Sequence, residues 1–174
     1  MNVGYMLREI LILEFSSTIV ALILAGKMGS NISSEIGSMR ITDQIDAMDM
    51  MGVNSAGFLV LPKIVSATVL SPLLMLLSLA FGLLGGWIVV SLTGIIGPNQ
   101  YVEGIKYCYT GFYVFYSGFK MSLFCFLVSS IASFRGYYAK GGSLGVGTAS
   151  TKAIVTISIL ILLFDLIVTQ LMLY

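Results

Sequence analysis

The sequence predicts an all-α integral membrane protein that crosses the bilayer about four times. Of its 174 residues, 57% are hydrophobic and only 10% are charged, and the mean hydropathy is +1.00. Soluble domains carry about 25% charged residues, so this chain is too apolar to cover a folded surface with polar groups. A bilayer core about 30 Å thick needs roughly 20 apolar residues per helix, and the sequence contains four apolar blocks near that length. These observations exclude a soluble enzyme, a secreted disulfide scaffold and a disordered segment.

The first two apolar blocks predict the first two spanning helices. One is expected over Ile10–Ala25, or already from Val3, and it contains the acidic residue Glu14. The other is expected over Ile64–Leu92 and contains Pro72. Because this second block is longer than a straight span requires, we expect a kink at the proline or a tilted helix.

The third and fourth blocks each contain one charged residue. We expect spanning helices over Gly111–Phe134, which includes Lys120, and over Ile154–Tyr174, which includes Asp165. A run of aromatic residues leads into the third helix, and it predicts an interfacial belt because amphipathic rings favour the headgroup layer. The belt has seven aromatic residues within thirteen positions: Tyr107, Tyr109, Phe112, Tyr113, Phe115, Tyr116 and Phe119.

The distribution of cations predicts the orientation in the membrane. Six of the nine lysine and arginine residues flank the segments Ser33–Gly57 and Phe134–Lys152. Cytoplasmic loops of membrane proteins carry an excess of these residues. We therefore expect both segments in the cytoplasm and the C-terminus on the opposite side. The six cations are Lys27, Arg40, Lys63, Arg135, Lys140 and Lys152.

The composition argues against several kinds of chemistry. The chain has no histidine, the commonest metal ligand and general base, and Cys108 and Cys125 are expected to be free cysteines in apolar surroundings. A net charge of +1 leaves no excess of basic residues that would bind nucleic acid. The glycines of Gly141–Gly147 indicate a phosphate-binding loop only weakly, because no Gly-Lys-Ser/Thr sequence follows them. We expect no catalytic residue, no metal site and no cofactor in the chain.

The predicted cytoplasmic segment contains an amphipathic helix, expected over Ile41–Met51. On one side of this helix lie Ile41, Gln44, Ile45, Met48 and Met51, and on the other lie Asp43, Asp46 and Asp49. The net charge of −3 between Glu35 and Gly52 disfavours the anionic inner leaflet. The apolar side therefore either packs beneath the protein's own helices or is offered to a soluble partner. Ser38 or Thr42 is expected to cap the helix, and Gly52 to end it.

The same segment resembles the signature of a known family. The run from Glu35 to Val53, EIGSMRITDQIDAMDMMGV, closely resembles that of MlaE-type permeases, the membrane subunits of MCE-associated ABC transporters that move phospholipids or other lipids. Further stretches agree in order and spacing, so the resemblance covers nearly the whole chain. They are Leu7-Arg8-Glu9 followed by Leu24–Gly29, then Pro62, and Gly145–Thr151 followed by Asp165 and Thr169.

The resemblance implies a single MlaE-type permease domain over residues 1–174, multi-pass in a bacterial inner membrane. It implies a homodimer above two ABC ATPase subunits, which bind ATP and Mg²⁺, and an MCE-domain protein on the periplasmic side. Some family members also have a STAS-domain subunit. Members usually begin with an interfacial helix and one more spanning helix before the Arg8–Glu9 pair, and we expect this chain to lack both.

The resemblance also implies which residues form each site. The coupling helix that docks into the ATPase corresponds to Glu35, Arg40, Asp43, Gln44, Ile45, Asp46, Met48 and Gly52. The charged positions of the family's substrate cavity fall on Arg8, Glu9, Lys120 and Asp165. Thr169 is added to this cavity because it shares a helix face with Asp165.

Two interpretations of the charges within the spans stay open. A charge at the bilayer centre costs about 2.5–3.5 kcal/mol, so Lys120 is expected to reach the interface or to pair with Asp165 or Glu9. A buried ion pair either fixes the helix register or forms a polar wall of a lipid cavity, where Arg8 or Lys120 meets a phosphate.

The leading hypothesis is a permease subunit that moves phospholipid or a related lipid between the inner membrane and a periplasmic MCE protein. One alternative is a small carrier driven by an ion or proton gradient, with Asp165 and Lys120 as a relay. Another is a membrane scaffold that transports nothing. Dependence of lipid movement on ATP, on the membrane potential or on neither distinguishes the three.

Overall fold

The computed structural model describes residues 2–94 and 97–173, and every regular element within these ranges is helical. Among the described residues, four helices are long and apolar enough to cross a membrane: Val3–Ile41, Ser55–Thr93, Gly111–Tyr137 and Gly142–Leu171. The predicted all-α fold with four candidate spans is therefore confirmed.

Two π-helical segments interrupt the α-helical winding of the first long helix. It consists of α1 (Asn2–Ile10), a π-helical segment π1 (Leu11–Ile19), α2 (Val20–Leu24), a second π-helical segment π2 (Ala25–Gly29) and α3 (Ser30–Ile41). The remaining elements are α4 (Gln44–Met50), α5 (Ser55–Thr93), α6 (Pro98–Lys106), α7 (Gly111–Tyr137) and α8 (Gly142–Leu173). π-Helices are rare and occur mostly as single turns, often at functional sites, so the nine-residue π1 marks a region of interest.

The first helix extends beyond the predicted end at Ala25. The additional segment α3 is too polar to be recognised as part of a span, but it buries one face. Ile32, Ser33, Ile36 and Gly37 on that face are all buried. Residues one and four positions apart lie on one face of a helix. This face packs against the protein and not against lipid, so the helix continues to Ile41 although its last part is polar.

The other predicted helices were also too short. Helix α8 begins at Gly142 rather than Ile154, because its first turns pack against α3 and bury a helical stripe of Val146, Ser150 and Ala153. Helix α5 begins at Ser55 and continues through Pro72 without interruption. The predicted connection between the second and third spans contains α6.

The described residues form two compact units. Unit 1 comprises the chain up to Val20 together with Ser71–Met121, and unit 2 comprises Ala21–Leu70 together with the chain from Ser122 onwards. In unit 1, α1 packs against α6 around Tyr101, which is 1% exposed and donates its hydroxyl proton to the Leu83 carbonyl oxygen at 3.1 Å. Burial raises the pKa of this phenol. In unit 2, α3 packs against α8.

The crossing of α3 and α7 in unit 2 depends on Gly136. A Cβ atom there would lie 2.6 Å from the Ser33 carbonyl oxygen and 3.1 Å from Ser33 Cα, so neither backbone could stay in place. Small residues at such crossings allow helix backbones to approach closely.

We expect Gly136→Ala to destabilise the protein by about 1–3 kcal/mol, the usual cost of overpacking a well-packed core. Thermal unfolding of the detergent-purified chain, followed by circular dichroism, measures this loss. Gly147→Ala is the matched control, because a Cβ on this helical glycine meets nothing within 4 Å. Equal unfolding temperatures for the two variants would contradict the close approach.

Candidate functional site

Arg8 lies at the end of α1 and ties it to the end of α6. Its side chain is 2% exposed. Nη1 donates to the carbonyl oxygens of Ile105 at 2.6 Å and Tyr107 at 2.7 Å. Nη2 donates to Glu9 Oε1 at 2.5 Å and to the Cys108 carbonyl oxygen at 3.4 Å. The planar guanidinium group thus binds one carboxylate and three carbonyl groups at once.

Two aromatic rings complete the surroundings of Arg8. Its guanidinium carbon lies 5.1 Å from the ring centroid of Tyr5 and 5.9 Å from that of Tyr109, distances that allow cation–π attraction. Arg8 Nε is buried and finds no acceptor among residues 2–94 and 97–173. The predicted cavity residues Arg8 and Glu9 are therefore together, and most of the arginine's donors bind the protein.

Lys120 on α7 forms a second buried charge site in unit 1. Its side chain is 0% exposed, and Nζ lies 3.3 Å from Glu14 Oε2 and 3.2 Å from the Leu13 carbonyl oxygen. Nζ also lies 5.9 Å from the ring centroid of Tyr116. Glu14 Oε2 additionally accepts a hydrogen bond from Thr18 Oγ1 at 3.3 Å. Pairing of Lys120 with Asp165 or Glu9 stays a prediction.

Glu14 is the residue that the sequence reasoning missed at this site. It lies within π1, beside three buried hydroxyl residues of the same segment, Ser16, Ser17 and Thr18. A wider helical turn changes which side chains share a face, so the regular 3.6-residue period does not predict this neighbourhood. The available signal was the charge itself, since an acidic residue within an apolar span requires a partner.

Asp165 and Thr169 lie in unit 2, on α8. Both side chains are half-buried and stand four residues apart, on one face of the helix. Ser158, seven residues before Asp165, is also half-buried and donates to the Ile154 carbonyl oxygen at 2.9 Å.

The predicted coupling helix is shorter than expected. Instead of continuing from Ile41 to Met51, α4 covers only Gln44–Met50, because Asp43 adopts a left-handed conformation with φ of 57°. Thr42 Oγ1 donates to the Ser38 carbonyl oxygen at 2.9 Å and so completes the end of α3. The turn at these two residues leaves Ile41 at the end of α3, and α4 begins at Gln44.

The end of α4 agrees with the prediction that Gly52 stops it. Gly52 has φ of +78°, a conformation that glycine adopts without strain. The Val53 N–H donates to the Met48 carbonyl oxygen at 3.1 Å, and the Gly52 N–H donates to that of Asp49 at 3.0 Å. These two bonds form a Schellman motif.

The apolar side of α4 divides between the protein's interior and its surface. Ile45 is 0% exposed, so it packs within unit 2, which is one of the two interpretations left open. Met50 and Met51 are 90% and 72% exposed, whereas Met48 is half-buried. Of the predicted stripe, Ile45 is therefore not accessible to a partner, whereas Met51 is exposed together with the adjacent Met50.

Two ion pairs link α3 to its neighbours, one to α4 and one to α5. Arg40 Nη1 lies 2.6 Å from Asp46 Oδ1, which joins α3 to α4. Lys63 Nζ lies 2.5 Å from Glu35 Oε2, which joins α5 to α3. Three of the predicted coupling residues thus bind within the chain, while Asp43 and Gln44 are exposed.

Comparisons with known proteins agree with these features. The family model described as Permease MlaE matches residues 1–171. A probable ABC transporter permease protein of Rickettsia bellii is 35% identical over 165 residues, which are 91% of this chain and 61% of that protein. A probable ABC transporter permease protein of Synechocystis is 31% identical over 171 residues, covering 98% of this chain and 65% of that protein.

A further relative carries a more specific name. The intermembrane phospholipid transport system permease protein MlaE of Haemophilus influenzae is 29% identical over 176 residues, covering 98% of this chain and 66% of that protein. The chain therefore spans about three fifths to two thirds of the length of these curated relatives. With four apolar spans and a family match over nearly its whole length, this multi-pass membrane chain belongs to the MlaE permease family.

Proposed function

We propose that the chain is the permease subunit of an ABC transporter that moves phospholipid between a bacterial inner membrane and a periplasmic MCE-domain protein. The observation that carries this proposal is the family match over residues 1–171. The Haemophilus influenzae relative, named for intermembrane phospholipid transport, supports phospholipid as the substrate class.

The two buried cation sites of unit 1 support a substrate with a phosphate group. In each site a carboxylate compensates the cation: Glu9 for Arg8 and Glu14 for Lys120. A lipid phosphate that replaces such a carboxylate keeps the cation compensated. The released carboxylate then needs solvent, which Glu14 with a side chain 41% exposed reaches more readily than Glu9 with a side chain 17% exposed. We propose Lys120 as the stronger candidate for this exchange, because its carboxylate partner lies at 3.3 Å rather than 2.5 Å.

The exposed methionine pair supports a soluble partner that supplies energy. We propose that Met50 and Met51 insert into a groove of an ABC ATPase, which binds ATP and Mg²⁺, and that a second copy of the chain completes the lipid cavity. Movement of α4 would pass to α3 and α5 through the Arg40–Asp46 and Lys63–Glu35 ion pairs. A STAS-domain subunit is a further proposed partner. The permease itself performs no covalent chemistry.

Reconstitution of the complete complex tests this function. The chain is co-expressed with the ATPase and MCE genes of its own organism, placed in liposomes, and assayed for transfer of a fluorescent phospholipid to soluble MCE protein. We expect transfer that requires ATP and stops with a non-hydrolysable ATP analogue. An ATPase variant that lacks its catalytic glutamate is the matched control.

Two outcomes would contradict the proposal. Transfer without nucleotide that follows an imposed ion gradient would indicate the gradient-driven carrier. A complex that hydrolyses ATP at the same rate with and without the permease, and that transfers no lipid, would indicate the scaffold.

A further inference from the structure

A cationic cavity lies between the end of α7 and the beginning of α8, entirely within unit 2. Its volume is about 210 Å³. Arg135, Lys140 and Lys152 line it, together with the hydroxyl-bearing side chain of Thr148. None of these three cations belongs to the charged sites around Arg8 and Lys120.

None of the three cations forms an ion pair with a carboxylate of residues 2–94 or 97–173. The hydrogen bond that Arg135 Nη2 donates to Thr156 Oγ1 is long, at 3.4 Å. Arg40 and Lys63, in the same unit, each have a carboxylate partner. Three like charges around one cavity repel each other, so the cavity favours an anion.

The surroundings of the cavity indicate where that anion comes from. Phe134 and Tyr138 line it with rings that are 61% and 63% exposed and whose centroids are 5.0 Å apart. Exposed aromatic residues at the end of a spanning helix favour the headgroup layer. The distribution of cations predicts that this end faces the cytoplasm, where the leaflet carries anionic lipids.

A second groove continues from the cavity along α7 and α8. It shares Phe134 and Arg135 with the cavity and is otherwise lined by Ser130, Ile131 and Thr156. A ligand with a phosphate in the cavity and an apolar chain in the groove would satisfy both parts. We propose that this combined site binds the phosphate group of an anionic phospholipid, with Arg135, Lys140 and Lys152 as its contacts. The inference is independent of the proposed function, because it requires neither nucleotide nor a second copy.

Native mass spectrometry tests the site. The full chain, purified in detergent with any bound subunits, is titrated with phosphatidylglycerol, and the bound lipids per chain are counted. We expect Lys140→Gln with Lys152→Gln to weaken binding of one lipid about thirtyfold, which corresponds to about 1 kcal/mol for each lysine. Lys27→Gln with Lys106→Gln removes the same charge from exposed positions outside the cavity and should leave that binding unchanged.

Further variants and ligands distinguish this proposal from its alternatives. Lys140→Arg with Lys152→Arg should retain binding, since the charge is kept. Inorganic phosphate that displaces phosphatidylglycerol at equal concentration would overturn a lipid site in favour of a free phosphate site. Equal binding of phosphatidylcholine, or unchanged phosphatidylglycerol binding in the glutamine variant, would overturn the role of the cations. Loss of a bound protein from the glutamine variant, with lipid binding intact, would overturn the proposal in favour of a protein-docking surface.

Discussion

Replacing both Met50 and Met51 with aspartate is expected to separate the ATPase from the permease and to abolish ATP-driven lipid transfer. The two side chains are the most exposed apolar groups of the α4 region, at 90% and 72%. Burying a methionine side chain contributes about 1.5–3 kcal/mol, so the loss of two such contacts should weaken binding at least a hundredfold. Co-purification on a tagged permease and ATP hydrolysis by the complex measure the two effects.

Two control variants make this result specific. Leu144→Asp places one charge at another exposed position on the same predicted side of the membrane, where the leucine is 81% exposed, and it should leave the ATPase bound. Ile45→Ala removes a side chain that is 0% exposed, so it should lower the stability of the permease by about 2–5 kcal/mol. Continued co-purification of the ATPase with the double aspartate variant would show that the methionine pair is not the docking surface.

Lys120→Met is expected to destabilise the permease and to abolish lipid transfer. The ammonium group is fully buried and compensates Glu14 at 3.3 Å. The Glu14 carboxylate that stays behind loses its compensation, but its side chain is 41% exposed, so the cost should lie below the roughly 3 kcal/mol that is typical of a fully buried pair. Thermal unfolding in detergent measures the stability, and transfer of a fluorescent phospholipid by the reconstituted complex measures function.

The double variant Lys120→Met with Glu14→Gln distinguishes the two interpretations of this pair. It leaves no uncompensated charge, so its unfolding temperature should recover most of the loss. If Lys120 binds the lipid phosphate, transfer stays abolished in the double variant. Recovery of transfer together with stability would instead show that the pair only fixes the packing of π1 against α7.

The four spans were predictable because hydrophobic length is a local property of the sequence. Each block had to cross about 30 Å of hydrocarbon, and no tertiary contact can replace that requirement. The ends of the helices were not predictable in the same way. The segments Ser30–Ile41 and Gly142–Thr151 are helical although polar, because each buries a stripe within unit 2 where α3 packs against α8.

The same difference between local sequence properties and tertiary contacts applies to the candidate site. Arg8 and Glu9 are adjacent in sequence, so their pairing follows from local geometry once the residues are identified. The partner of Lys120 is 106 residues away in the chain, within a π-helical turn that no regular period describes. In the coupling segment, the left-handed backbone of Asp43 breaks the helix. The predicted apolar stripe assumed a continuous helix, so it did not predict which of its side chains are exposed.

Composition and motif order alone established a membrane-spanning permease of the MlaE family, because apolar length and short signatures do not depend on distant contacts. Only the tertiary structure decided that Ile45 is buried while Met50 is exposed, that Glu14 compensates Lys120, and that Arg135, Lys140 and Lys152 surround one cavity. The last of these depends on the turn at Gly141 and Gly142, both with positive φ, which brings the start of α8 to the end of α7. Packing between distant parts of the chain determines which charged groups meet, and the helical spacing of residues along the sequence does not contain that information.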